Sequence, residues 1–173
     1  MAKSPSILFV ASEAYPYSKE SGVADIASSL PIALRNAGCD IRVMLPKYGC
    51  TSSNRNKIHE INRLKDLPII SKSNPNGKNP DELLTTKSSA LISAKTKVQV
   101  YIVTNDKFFE SRNGIYHDPV TWEVYPDNLE RFVFFCRSIV ETCYTLGWFP
   151  DIIHCNDWQT ALLPVFIRYF YPK

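Results

Sequence analysis

Short apolar runs alternate along this chain with stretches in which apolar residues recur every three or four positions. Ile7-Leu-Phe-Val-Ala11 is a short, wholly apolar run and predicts a buried strand. From Gly22 onward, Val23, Ile26, Ala27, Leu30, Leu34 and Ala37 fall at helical spacing, and Gly38 sits where that helix should stop. Pro31 lies inside the pattern, where it removes one backbone hydrogen bond and predicts a kink. Asp40-Ile-Arg-Val-Met-Leu45 predicts the second strand, so the chain opens with a βαβ unit whose crossover should be right-handed.

The pattern breaks between about 50 and 88. Thr51-Ser-Ser-Asn-Arg-Asn56 and Ser71-Lys-Ser-Asn-Pro-Asn-Gly-Lys-Asn-Pro80 are polar and rich in turn formers. They predict loops around one or two weak strands, with Leu67–Ile70 the better candidate and the second block mobile. Order returns with Ala90–Ala94 and Val98–Val103, a hairpin about Lys95-Thr-Lys97. Asp127-Asn-Leu-Glu130 resembles a capping box. Leu129, Phe132, Val133, Cys136, Ile139, Val140 and Cys143 then share one helical face, and Trp148-Phe-Pro150 closes the helix. Asp151–His154 predicts another strand. Asp157 is placed to cap a last amphipathic helix through Ala161, Leu162, Val165, Phe166 and Tyr169. Strands alternating with helices predict an α/β fold: a Rossmann-like, open, mostly parallel sheet with helices on both faces. A single domain over 1–173 with a loop-rich region at about 50–88 is expected.

The composition fits that picture, at 45% hydrophobic and 21% charged residues. A net charge of +3 with scattered Lys and Arg makes no case for nucleic acid. The five-residue apolar run after Met1-Ala-Lys3 is too short for a signal peptide, and no stretch approaches a membrane span. Five Cys without framework spacing suggest reduced thiols in a cytoplasmic compartment.

The chemistry concentrates at two strand ends. Lys19, Gly22 and Asp25 follow the first strand, and His154, Asp157 and Trp158 lie at the end of the strand before the closing helix. In open α/β sheets ligands bind in the crevice at the carboxyl ends of the strands, so the two segments read as two walls of one site. Lys19 adds a charge and Gly22 gives close backbone approach near a helix N-terminus, which suits phosphate. Equally, Lys19 is a solvated loop lysine and Gly22 a turn glycine. Asp157 can accept hydrogen bonds from sugar hydroxyls, cap the last helix, or do both. Trp158 offers a flat apolar face to a sugar ring or fills core. A metal site from His154, Cys155, His117 and Cys143 is rejected on spacing. Cys136 and Cys143 read as core, and Cys39 and Cys50 have no evident activating partner.

The same residues resemble the amino-terminal signature of bacterial glycogen synthases and plant starch synthases. Ser12-Glu13, Tyr15-Pro16, Lys19, Gly22, Asp25, Leu30-Pro31 and Leu45-Pro46 fall in that family's order. Gly114-Ile-Tyr116, Tyr125-Pro-Asp127-Asn128-x-x-Arg131-Phe132 and His154-x-x-Asp157-Trp158 are similar to further family segments. The resemblance implies the amino-terminal half of a GT-B glycosyltransferase that moves glucose from ADP-glucose, or UDP-glucose in some members, to the non-reducing end of an α-1,4-glucan. Configuration is retained, and neither metal nor cofactor is needed. It implies that Lys19, Gly22 and Asp25 contact the nucleotide sugar. It also implies that Asp157, the candidate catalytic residue, faces the sugar or acceptor side with His154 and Trp158. Tyr116, His117 and Asp118 line the acceptor side or form a structural turn.

The departures from the family pattern are Glu20, Ser21 and Asn156. Glu20 brings a negative charge beside the phosphate cradle unless it points to solvent, and Ser21 would be strained at positive φ. The family's nucleotide-binding second domain falls outside these 173 residues, so the polypeptide alone is expected to be inactive. Its uncovered strand edge should favour self-association. The expected partners are a nucleotide sugar and an α-glucan, with no nucleic acid and no membrane, in the cytoplasm or a plastid stroma. Two rivals stay open: a non-catalytic glucan- or partner-binding domain derived from such an enzyme, and a flavodoxin-like or receiver-type signalling domain.

Overall fold

The computed structural model describes residues 4–70 and 74–170. Seven strands form one sheet: β1 (Ser6–Val10), β2 (Asp40–Pro46), β3 (His59–Glu60), β4 (Leu67–Pro68), β5 (Leu83–Ser93), β6 (Thr96–Thr104) and β7 (Ile152–Cys155). The order is β3-β5-β6-β2-β1-β7, with β4 also paired to β5. Strands β6, β2, β1 and β7 run parallel, while β5, β3 and β4 form the antiparallel end. Helix α1 (Val23–Asn36) covers one face, and α2 (Asn128–Leu146) and α3 (Leu163–Phe170) cover the other.

Each central strand is apolar throughout because both of its faces are buried. Leu8, Val10, Met44 and Val103 meet Phe132, Phe135 and Ile139 of α2. Ile7, Phe9, Val43, Leu45 and Ile102 meet Ala27 and the partly buried Val23, Leu30 and Leu34 of α1. Helix α1 runs without a break through Pro31, whose ring is buried.

Three local expectations are corrected. The loop-rich region does not extend to residue 88, because β5 begins at Leu83 and pairs with β6 from Thr85 to Ser93. Two of its inward positions are Thr86, whose hydroxyl bonds Thr142, and Ser89, which accepts a hydrogen bond from Tyr17 and donates to the Asn56 carbonyl. Hydroxyls thus stand at two buried positions of β5, between the buried Leu84 and Leu91. Asn74–Pro80 is held as a turn by Asn74, whose side chain donates to the Ile69 carbonyl and accepts from Asn79 N–H; residues 71–73 lie outside the described residues. Finally, Asp127 makes no side-chain cap to α2. Its carboxylate is taken by Arg112, while Leu129 is exposed and Gly147, at φ 63°, closes the helix.

The path of the chain fixes where a ligand can sit. From β1 it passes through α1 to β2, on one side of β1. From β6 it returns through α2 to β7, on the other side. The sheet therefore changes direction between β1 and β7, the place where open α/β sheets form a crevice at the carboxyl ends of their strands. Val10 stands level with both Met44 and Cys155, so the loops after β1 and β7 leave the sheet side by side.

Candidate functional site

The loop after β1 is organised by a buried carboxylate. Glu13 is fully buried and accepts hydrogen bonds from Glu20 N–H, Ser21 N–H and the Ser21 hydroxyl. The Ser21 oxygen also accepts from Val23 N–H at 3.1 Å, so serine takes over the capping of α1. Ser21 does not adopt positive φ, and the strain expected of it does not arise. Gly22 has an ordinary φ of −68°, and a methyl group there would meet nothing within 4 Å. Its contribution is open space before the helix N-terminus rather than an unusual backbone. Lys19 Nζ lies 2.7 Å from both oxygens of Asp25, with the two side chains 49% and 58% exposed. Glu20 is an exposed residue, yet its carboxylate is engaged within the site. Its carboxylate lies 3.1 Å from His117 Nδ1, and burial pushes its pKa up, opposed by His117 and reinforced by Glu13.

The loop after β7 is stitched to β1. Asn156 donates both its backbone N–H and its side-chain amide to the Val10 carbonyl, at 3.0 and 2.8 Å. Asp157 follows with φ 64° and ψ 177°, a region almost confined to glycine and costing on the order of 1–3 kcal/mol for other residues. Its Oδ1 accepts from Trp158 N–H at 2.7 Å, so Asp157 caps the short turn Trp158–Thr160 that precedes α3. Trp158 is half exposed, with its ring edge-on to Phe132 at 5.1 Å and 6.0 Å from Tyr116. His154 is set apart from this group. It shares the α1 face of the sheet with Phe9, edge-on at 4.8 Å, because Ile153 and Cys155 take the opposite face.

The third wall is the segment Arg112–Asp127, seated by residues of α2. Arg131 is fully buried and donates to the carbonyls of Phe108 and Ile115 and to Asn128 Oδ1. Asn128 in turn donates to the Tyr116 carbonyl at 2.8 Å. Gly114 is required by packing: a Cβ there would lie 1.8 Å from the His117 carbonyl oxygen. So fixed, Tyr116 reaches the Ser12 hydroxyl at 2.9 Å. Burial raises the Tyr116 pKa, the bond to Ser12 lowers it, and the carboxylates of Glu13, Asp157 and Glu20 raise it further. Charges from both strand-end loops thus converge on one phenol.

Tyr116, Asp157 and Trp158 are brought together, as are Lys19, Gly22 and Asp25 one loop away. Ser12, Glu13 and the anchoring role of Arg131 escaped the reading of single residues, since nothing in the pattern marks a polar side chain as buried. Among the described residues no group of three or more His, Cys, Asp or Glu is placed to hold a metal ion, and no helix is long and apolar enough to cross a membrane.

Comparison with known proteins bears on this arrangement. The family model described as starch synthase catalytic domain matches residues 6–173. A glycogen synthase of Chlorobium limicola is 37% identical over 95% of this chain and 32% of its own length. Glycogen synthase 2 of Geobacter sulfurreducens is 37% identical over 94% of the chain and 30% of its own. The chain thus spans about a third of the curated relatives it matches. A solved catalytic domain of starch synthase IV from Arabidopsis thaliana, bound to ADP and acarbose, superposes with a TM-score of 0.74 at 26% identity, over 98% of this chain and 31% of that one. With its whole β1–β7 crevice inside the matched span, this chain belongs to the starch synthase catalytic-domain family.

Proposed function

We propose that this chain forms one wall of the active cleft of a GT-B glucosyltransferase. The reaction is transfer of glucose from ADP-glucose to the non-reducing end of an α-1,4-glucan with retention of configuration. The observation that carries this is the meeting of the β1 and β7 loops where the sheet changes direction. The binding of ADP and acarbose by the starch synthase IV relative supports the same two ligand classes, a nucleotide and an oligosaccharide.

In this reading the α1 N-terminus and Lys19 receive the diphosphate. Lys19 must first exchange Asp25 for phosphate. That exchange is inexpensive, since an exposed ion pair contributes about 0–1 kcal/mol. Glu20, beside that cradle, is held by its contact with His117. On the other wall Asp157 faces the transferred sugar or the acceptor, and Trp158 with Tyr116 offers aromatic surface to a pyranose ring. His154 serves from the opposite face, beneath the tip of β7.

The 173-residue polypeptide is proposed to be inactive alone. Holding donor and acceptor in register supplies up to about 7–11 kcal/mol of barrier lowering, and one wall does not hold both. Calorimetric titration with ADP-glucose and with maltooligosaccharides tests the assignment. Lys19→Ala should weaken the nucleotide sugar selectively and Asp157→Ala the glucan. Absence of binding by either ligand to the wild-type chain, or ADP-glucose-dependent glucan elongation by this chain alone, would contradict the corresponding part.

A further inference from the structure

A hollow of ≈ 650 Å³ lies at the antiparallel end of the sheet, between α1, strands β5 and β6, and the turn that carries Arg55–Lys57. Strand β2 stands between β6 and β1, and none of the residues assigned to the crevice lines this hollow. Its volume falls within the range of about 300–1,000 Å³ usual for small-molecule sites.

Two independent features indicate that the hollow is built for a ligand. The first is charge. Arg55, Lys57 and Lys97 contribute to the lining, and no Asp or Glu does. Among the described residues none of the three takes part in an ion pair. The whole chain has a formal net charge of +3, so this one hollow holds an uncompensated charge as large as that of the entire molecule. The second is Asn56. It is 9% exposed, lines the hollow, and its side-chain oxygen has no hydrogen-bond partner. A buried acceptor without a donor is costly unless something else supplies one.

The surroundings of these groups are fixed. The Asn56 N–H and side-chain amide both donate to the Ser52 carbonyl, and Ile58 N–H donates to the Ser53 carbonyl. Lys57 between them is held at φ 47°, a region disfavoured for any residue with a side chain. Ser89 of β5 accepts from the Tyr17 hydroxyl at 2.8 Å and donates to the Asn56 carbonyl at 2.6 Å. Three distant parts of the chain are thereby locked together around one cavity.

We infer that this hollow binds a small phosphate ester with a hydroxylated carbon skeleton. A phosphomonoester carries a charge of about −1.5 to −2 and three strong acceptor oxygens, which suits three cations better than a single carboxylate does. The Asn56 oxygen and the hydroxyls of Ser28 and Ser29 are placed to meet the hydroxyls of the skeleton. The inference stands apart from the glucose-transfer reading, since it uses none of the residues on which that reading depends.

The test is an NMR titration of the isotope-labelled 173-residue chain with ribose 5-phosphate, inorganic phosphate, ribose and succinate at constant ionic strength. Ribose 5-phosphate should shift the amide signals of Arg55–Lys57 and Ala90–Ser93 in a saturable one-to-one titration. It should bind more tightly than inorganic phosphate, with ribose and succinate weaker still. Arg55→Gln combined with Lys97→Gln should weaken the ester about tenfold or more, because two charge-assisted contacts are lost. Both side chains belong to exposed residues, so the rest of the variant's spectrum should overlay that of the wild type. Shifts confined to Lys19–Gly22 would place the ester on the diphosphate cradle and overturn the inference, as would the lack of any shift. Inorganic phosphate binding as tightly as the ester would overturn the role of the skeleton, and succinate doing so would overturn the choice of phosphate.

Discussion

Replacing Asp157 by glycine and by alanine separates a strained backbone from the bond its side chain makes. Both substitutions remove the carboxylate that accepts from Trp158 N–H, so that loss cancels between them. What differs is the backbone. In ordinary ordered positions glycine is worse than alanine by roughly 0.5–1 kcal/mol, because it has more freedom to lose. At φ 64° and ψ 177° alanine carries a penalty of about 1–3 kcal/mol that glycine does not. The usual order is therefore inverted, with glycine ahead by about 1 kcal/mol. For a chain of this size each kcal/mol shifts Tm by about 2–4 °C, so Asp157→Gly should melt about 2–4 °C above Asp157→Ala. Calorimetric or circular-dichroism melts of both variants under identical conditions measure the difference. Alanine melting at or above glycine would refute the claim that this position stores strain.

Arg131→Met should cost about 3 kcal/mol, roughly 6–12 °C in Tm, because it leaves the buried carbonyls of Phe108 and Ile115 without donors. An unchanged melt would show that water replaces the guanidinium. Burial pushes the Cys136 and Cys143 thiols up to about 12, so at pH 8 a maleimide should leave both unmodified in the folded chain while the exposed Cys50 reacts. Mass spectrometry of labelled peptides reads this, and labelling of Cys136 at the Cys50 rate would contradict the packing. Strand β7 pairs only with β1 among the described strands, exposes Ile152, and adjoins an apolar hollow of ≈ 480 Å³ lined by Cys143, Phe149, Ile153 and Ile167. The molar mass by light scattering should rise with concentration above 19.7 kDa, and Ile152→Lys should suppress the rise. A constant mass would count against association through this edge.

Much of the fold was legible because the central strands and α2 are buried strongly enough to write themselves as apolar runs. Strand β5 was legible only from Ala90 onward, since its buried Thr86 and Ser89 are hydroxyls, satisfied by Thr142 and the Asn56 carbonyl. Asp127 looked like a cap because its spacing to Glu130 is right, but Arg112, 15 residues earlier in the chain, outcompetes the helix for its carboxylate. At the site, the strand-end rule located the crevice, and alternation along β7 would have placed His154 on the Phe9 face. No local pattern announces that Glu13 is buried, because that depends on loops meeting from distant parts of the chain.

The seat of the third wall has a consequence for acid tolerance. Arg131 is surrounded by the rings of Tyr48, Phe109, Tyr125 and Phe132, and its described bonds end on two main-chain carbonyls and an amide oxygen. A guanidinium keeps its proton in proteins, and none of these acceptors takes one up in mild acid. The foundation on which Tyr116 and His117 stand is therefore fastened by bonds that a fall in pH leaves in place.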